Sequence, residues 1–271
     1  MSYAQLGRDA LDYQPCQYPG SPMTFRGPKC DLQEPYILCL GGSETFGKFS
    51  TDPFPDRLGD RLGRRVVNMG AMNAGVDLFL HDAAVKAAMG RAQAVVLQVP
   101  GAANMSNRFF TVHPRRNDRF LKASTMMRTI FREVDFTEFH FTRHMLSALK
   151  ARSADRFGVV VEELRAAWVA RMAQLIERSP VPVHLLWLSH RAPSDEVMAE
   201  LGYDPLFVTA TMLDEVAPLA DSLSVSVWED DGRAPEDRGL SFGRGEAAAA
   251  SVMPGPADHE RVSQVLAELL G

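Results

Sequence analysis

The chain has 271 residues, of which 46% are hydrophobic and 23% charged, with a formal net charge of −5. That length suits one large α/β domain or two small ones, with the composition of an ordinary globular protein. The negative balance argues against general nucleic-acid affinity, and no apolar run approaches the ~20 residues of a membrane span.

Three cysteines, Cys16, Cys30 and Cys39, have no metal-type spacing, so a reduced cytoplasmic protein is expected. The opening stretch MSYAQLGRDALDYQP lacks the apolar core of a signal peptide. Residues 1–34 carry Pro15, Gly20, Pro22, Gly27 and Pro28 and read as an irregular arm packed on a domain spanning 35–271. Five β-type runs follow, at 36–40 (YILCL), 65–68 (RVVN), 94–99 (AVVLQV), 183–188 (VHLLWL) and 223–228 (LSVSVW). The first, third and fourth are nearly all apolar, as strands buried on both faces are.

Helical patterns lie between the runs, at 53–62, 76–89, 154–178 and 258–270. The third has the clearest stripe: Phe157, Val161, Leu164, Trp168, Met172 and Leu175. Alternating strands and helices predict an α/β fold: a three-layer α/β/α sandwich on a five-stranded parallel sheet. Residues 105–153 are too long for a simple connection and read as a helical insertion, with a lid as one use for it. A second irregular stretch covers 229–256.

Ligands of open parallel sheets bind beyond the C-terminal strand ends. The first such loop, GGSETFGKFS, raises two chemistries. Gly42, Gly47 and Lys48 have P-loop spacing, which suits a nucleotide-binding transferase of kinase-like or sulfuryl-transfer type. Against this, Phe49 stands where the metal-binding hydroxyl belongs, and neither the third nor the fourth strand ends in Asp. The other chemistry makes Ser43 a nucleophile on a strand-to-helix turn. The next strand ends NMGAMNAG, placing Gly70 and Gly75 beside it, and the third ends PGAAN, bringing the amide of Asn104. His259 opens the last helix, where the helix dipole favours the neutral imidazole a base needs.

This order of blocks resembles the SGNH, or GDSL-type, hydrolases. The resemblance implies a flavodoxin-like sheet, with Ser43 as nucleophile and His259 as general base. It also implies that Gly70 N–H, the Asn104 side chain and Ser43 N–H form the oxyanion hole. Departures are plain: Gly42 replaces the family's Asp, Met105 follows Asn104, and Pro256 occupies the orienting acid's position. Asp258 is placed to cap the last helix. Hydrolysis and acyl transfer share this chemistry, and a non-catalytic sensor on the same fold is a third reading.

Each residue also has a plainer use. Ser43 could cap a helix, Gly70 and Gly75 could serve turns, Asn104 could bond loop backbone, and His259 could be a solvated helix-start residue. The insertion carries Arg108, Arg115, Arg116, Arg119, Lys122 and Arg128 against Asp118 alone. This is either a solvated face, a dock for the acidic stretch Glu229, Asp230, Asp231, Glu236 and Asp237, or an anion site beside the rim. The last use makes Arg108, Arg115, Arg116 and Arg119 candidate substrate contacts, with His190 after the fourth strand as another. His140 and His144 have helical i, i+4 spacing, but no third ligand is evident. The expected partner is a small, anionic molecule, without metal or cofactor; an oligomer remains open.

Overall fold

Residues 11–196, 201–202, 204–229 and 232–271 are described by a computed structural model. Strand β1 (Ile37–Leu40) leads into the one-turn helix α1 (Ser43–Phe46) and then α2 (Phe54–Leu62). Strand β2 (Val66–Asn68) precedes α3 (Val76–His81) and α4 (Ala83–Met89). After β3 (Ala94–Gln98) comes a hairpin of β4 (Phe110–His113) and β5 (Arg116–Ala123). Helices α5 (Thr125–Ile130), α6 (Thr142–Arg152) and the long α7 (Ala154–Glu177) follow. Then come β6 (Val183–Ser189), α8 (Ala210–Val216), β7 (Ser222–Val227), the one-turn α9 (Ala247–Ala250) and α10 (Pro256–Leu270).

The main sheet runs β2-β1-β3-β6-β7 with every pair parallel. Side chains alternate across each strand, so β1 feeds two cores. Ile37 and Cys39 face Phe54 and Leu58 of α2 and Val262 and Leu266 of α10. Leu38 and Leu40 belong to the larger cluster with Val76, Val85, Leu164, Trp168 and Met212 from helices of the other layer. Burial on both faces is why β1, β3 and β6 read as nearly continuous apolar runs.

Two local expectations change. The helical pattern over 76–89 breaks at Asp82, whose backbone is extended and whose carboxylate accepts from Ala84 N–H and Val85 N–H to cap α4. Ser21 Oγ donates to the same carboxylate at 2.6 Å, tying the arm to this break. The insertion also holds a β-hairpin besides its helices. Phe109, Phe110, Phe120, Phe131, Phe136 and Phe139 are buried in the same cluster as the sheet, so the insertion is packed down onto the domain.

The arm builds the underside of the loop after β1. Buried Arg26 donates to Gly47 O at 3.0 Å and Thr51 O at 2.9 Å, and Tyr13 Oη accepts from Phe49 N–H at 2.9 Å. All three cysteines are free thiols. Among the described residues, no helix is long and apolar enough to cross a membrane.

Candidate functional site

The loop after β1 is pinned by the strands on either side. From the end of β3, Gln98 Oε1 accepts from Gly42 N–H at 3.0 Å, Thr45 N–H at 3.2 Å and Thr45 Oγ1 at 2.5 Å. Its Nε2 donates to Glu44 Oε2 at 2.8 Å. From the end of β2, Asn68 Nδ2 donates to Thr45 O at 2.8 Å while its Oδ1 accepts from Gly70 N–H at 2.9 Å. Both amide side chains are buried, so their bonds form in a low-dielectric setting and rigidify the loop. Burial raises the Glu44 carboxyl above its usual range; the Gln98 bond opposes this and nearby Asp204 adds to it.

Ser43 thus stands at the head of α1, partly exposed, at the C-terminal end of β1. Its Oγ accepts from Asn73 N–H at 3.2 Å, and Asn104 Nδ2 donates to Asn73 O at 3.2 Å. Three strand ends therefore contribute to one hydrogen-bonded chain, Ser43–Asn73–Asn104. The Ser43 N–H has no acceptor among the described residues.

Gly70 does not take the place expected of it. Its N–H is used by Asn68, and a Cβ there would lie 2.4 Å from Phe46 N. Gly70 lets the end of β2 approach α1 closely; the amide that meets the serine is that of Asn73. Asn73 has φ +57°, a left-handed conformation that Asn tolerates better than most side chains. An Asn three residues past a strand-end glycine was the available sequence signal. Gly75 is also a close-approach position: a Cβ would lie 1.7 Å from Asn104 O, and its N–H donates to Asn117 Oδ1 at 3.0 Å.

The expected Ser43–His259 pair is not assembled. His259 is 1% exposed in the first turn of α10, and its Nδ1 accepts from Phe54 N–H at 3.2 Å. Phe54 opens α2, and the first amides of a helix need acceptors from outside it. His259 meets that demand, which assigns the imidazole proton to Nε2, an atom without a hydrogen-bond partner. Burial pushes its pKa down to about 3, with the Arg57 and Arg26 cations adding to the effect. Asp258 caps α10 as expected, accepting from Gly255 N–H at 2.9 Å, and pairs with Arg261 at 3.4 Å.

Most of the candidate binding cations are engaged. Arg108 pairs with Glu163 at 2.5 Å, and the Arg119 guanidinium lies over the Phe141 ring at 5.1 Å. The His190 ring lies tilted against that of Trp228, with centroids 4.5 Å apart, and its Nε2 lies 3.0 Å from Val252 O. Lys48 lies 3.7 Å from Glu246 and 4.4 Å over Phe49, turned to the helix side of its loop. Arg115 and Arg116 are exposed at the tip of the hairpin, with Asp118 4.0 Å from Arg116. His140 precedes α6 and shares no helix face with His144, which packs edge-on to Phe139. Among the described residues no group of three or more His, Cys, Asp or Glu is placed to hold a metal. Glu229, Glu236 and Asp237 are exposed; Asp230 and Asp231 lie outside the described residues.

Several solved structures align with the chain, among them these three. The lipase Lip_vut3 from a goat rumen metagenome shares 14% identity, covering 86% of this chain and 96% of its own, at TM-score 0.44. A putative lipolytic protein of the G-D-S-L family from Desulfitobacterium hafniense DCB-2 shares 14%, covering 87% and 99%, at TM-score 0.35. LAE5, an alpha/beta hydrolase enzyme from the metagenome of Lake Arreo, Spain, shares 15%, covering 86% and 94%, at TM-score 0.38. At these values the likeness bears on neither activity nor substrate. No curated protein matches the chain. The whole chain, residues 1–271, matches the family described as "Domain of unknown function (DUF6473)", and the chain belongs to that family.

Proposed function

We propose that the chain is an SGNH-like serine hydrolase or acyltransferase acting on an acyl ester at Ser43. The supporting observation is the Asn73 N–H placed 3.2 Å from Ser43 Oγ, with the Asn104 amide next to it. In this reading Ser43 Oγ attacks the acyl carbon, and the carbonyl oxygen becomes an anion. Ser43 N–H, Asn73 N–H and Asn104 Nδ2 donate to it. The bond to the leaving alkoxide breaks as that oxygen takes the proton the base removed from Ser43. Water or another hydroxyl, giving its own proton to the base, then releases the acyl group, and Ser43 regains a proton.

The base sets the condition. For His259 to take the Ser43 proton, it must release Phe54 N–H and present a bare Nε2. That demand favours a second reading, a non-catalytic sensor in which the same donors hold a carbonyl or carboxylate ligand. The phosphate reading of the 42–48 loop is not carried forward. Gln98 already occupies the Gly42 and Thr45 amides, and Lys48 is held by Glu246 and Phe49.

The test is labelling by a serine-directed fluorophosphonate, together with turnover of short-chain p-nitrophenyl esters. Wild-type protein is expected to label at Ser43 and to cleave the esters, and Ser43→Ala to do neither. No labelling and no turnover leave the sensor reading in possession.

A further inference from the structure

We infer that the tip of the β4–β5 hairpin is a specificity element: Arg115 and Arg116 bind an anionic group of the substrate. The inference rests on the acyl-ester reading of Ser43 and names the class of ester, one carrying a carboxylate or phosphate.

Asn117 is 1% exposed although it sits one residue from an exposed turn. Its Nδ2 donates to His113 O at 3.1 Å and Pro114 O at 3.4 Å, closing the turn on itself. Its Oδ1 accepts from Gly75 N–H at 3.0 Å, fastening the turn to the start of α3. Arg115 N–H in turn donates to His113 Nδ1 at 3.2 Å. A merely solvated charge run needs no buried anchor of this kind, and a binding group gains from one because less freedom is lost on binding.

The anchor also fixes where the turn that carries the arginines lies. Gly75 lies against the Asn104 carbonyl, and it is two residues from Asn73, a span of at most about 7 Å. The hairpin tip is therefore joined through Gly75 to both residues that flank Ser43. His113 and Arg116 are directly opposed across the hairpin, so Pro114 and Arg115 form its two-residue turn. Of the two exposed arginines there, Arg116 lies 4.0 Å from one carboxylate, Asp118, whereas Arg108 and Arg119 are occupied by Glu163 and Phe141. Guanidinium forks suit the paired oxygens of a carboxylate or phosphate. A neutral ester would leave this charge pair unanswered.

The experiment measures binding, so that it stands apart from turnover. The full chain carrying Ser43→Ala is titrated calorimetrically at low salt with monoethyl succinate and with neutral diethyl succinate. The monoanion is expected to bind at least about tenfold more tightly, with the advantage shrinking as salt is added. Adding Arg115→Gln and Arg116→Gln should abolish that preference and leave the diethyl ester's Kd and the thermal unfolding midpoint unchanged. Equal binding of the two esters, binding of neither, or a preference that survives the double substitution overturns the inference. An intact anion preference in a protein that never labels at Ser43 would instead support the arginine site and remove the catalytic reading alone.

Discussion

The loop around Ser43 and the pocket around His259 use polar groups in opposite ways. In the loop, buried Gln98 and Asn68 satisfy the internal amides of Gly42, Thr45 and Gly70. This leaves the Ser43 amide and hydroxyl and the Asn104 side chain at a partly exposed rim. At His259 the acceptor nitrogen is consumed by Phe54 N–H, and the remaining N–H is buried without a partner. The first region keeps its spare polar groups at the surface. The second closes a gap between two helices, and an unpaired buried donor there costs about 1–3 kcal/mol. A histidine at a helix start, in the right order after a serine, is therefore not yet a base. The open amides of a neighbouring helix have a competing claim on it.

The largest effect is expected at Gln98. Gln98→Leu keeps the side chain's approximate volume and removes one acceptor from three donors, two of them backbone amides. Leaving those amides buried without partners is expected to cost about 3 kcal/mol or more, read by urea unfolding. Fluorophosphonate labelling at Ser43 should fall with it even where the protein remains folded. Undiminished stability would show that the loop does not depend on Gln98 and that the Ser43 amide is not held in place by it.

His259→Asn sharpens the other side. Asn Oδ1 can stand near the position of Nδ1 and keep Phe54 N–H bonded, so the loss at pH 7 should be about 1–2 kcal/mol, from reduced packing. The acid side is more telling. The folded pKa of about 3 lies below the ordinary 6.5, so the unfolded chain binds the proton first. In wild type this contribution is full above about pH 6.5 and is lost as pH falls towards 3, at about 1.4 kcal/mol per pH unit. Asp56 acts in the opposite direction: burial raises its carboxyl from 3.8 to about 6, so its contribution declines as pH rises from about 4 to 6. Asn at 259 removes the first slope and leaves the second. The stability difference between wild type and His259→Asn should then shrink on going from pH 7 to pH 5. Parallel pH curves would mean that His259 is not held neutral by burial.

The fold was legible because the strands announce themselves. Residues 36–40, 94–99 and 183–188 are apolar but for Gln98 and His184, and the structure makes them the central strands of a five-stranded parallel sheet. The hairpin was not legible. Its strand Arg116–Ala123, RNDRFLKA, is half charged, and its burial comes from Phe120 and Asn117 docking on distant segments. In the candidate site, Ser43 and Asn104 follow from their places after strands. Asn73 did not, because its part is played by a backbone N–H, and an Asn past a strand-end glycine signals only the left-handed turn that presents it. That His259 is engaged by Phe54 was not legible for a related reason. What decides its tautomer is the start of α2, two hundred residues away in sequence, and not the loop or the missing acid at Pro256.

The smallest effect belongs to Lys48, and it sharpens the comparison from within the loop. Lys48 sits 3.7 Å from Glu246, with both side chains partly exposed. Exposed pairs of this kind contribute about 0–1 kcal/mol, and the contact over the Phe49 ring at 4.4 Å adds a similar amount. Lys48→Met retains the aliphatic stem over that ring and should change stability by no more than about 1 kcal/mol. Labelling at Ser43 should be unchanged, and wild type should show no thermal shift with added nucleotide. The sign of the result matters more than its size. A phosphate loop uses its lysine as a point charge on the ligand, so a large loss of function at Lys48 would mean that the Gly42 and Thr45 amides can exchange Gln98 for phosphate. Indifference at Lys48 combined with sensitivity at Gln98 would mean that the loop's amides serve the fold, leaving the rim donors for the ligand.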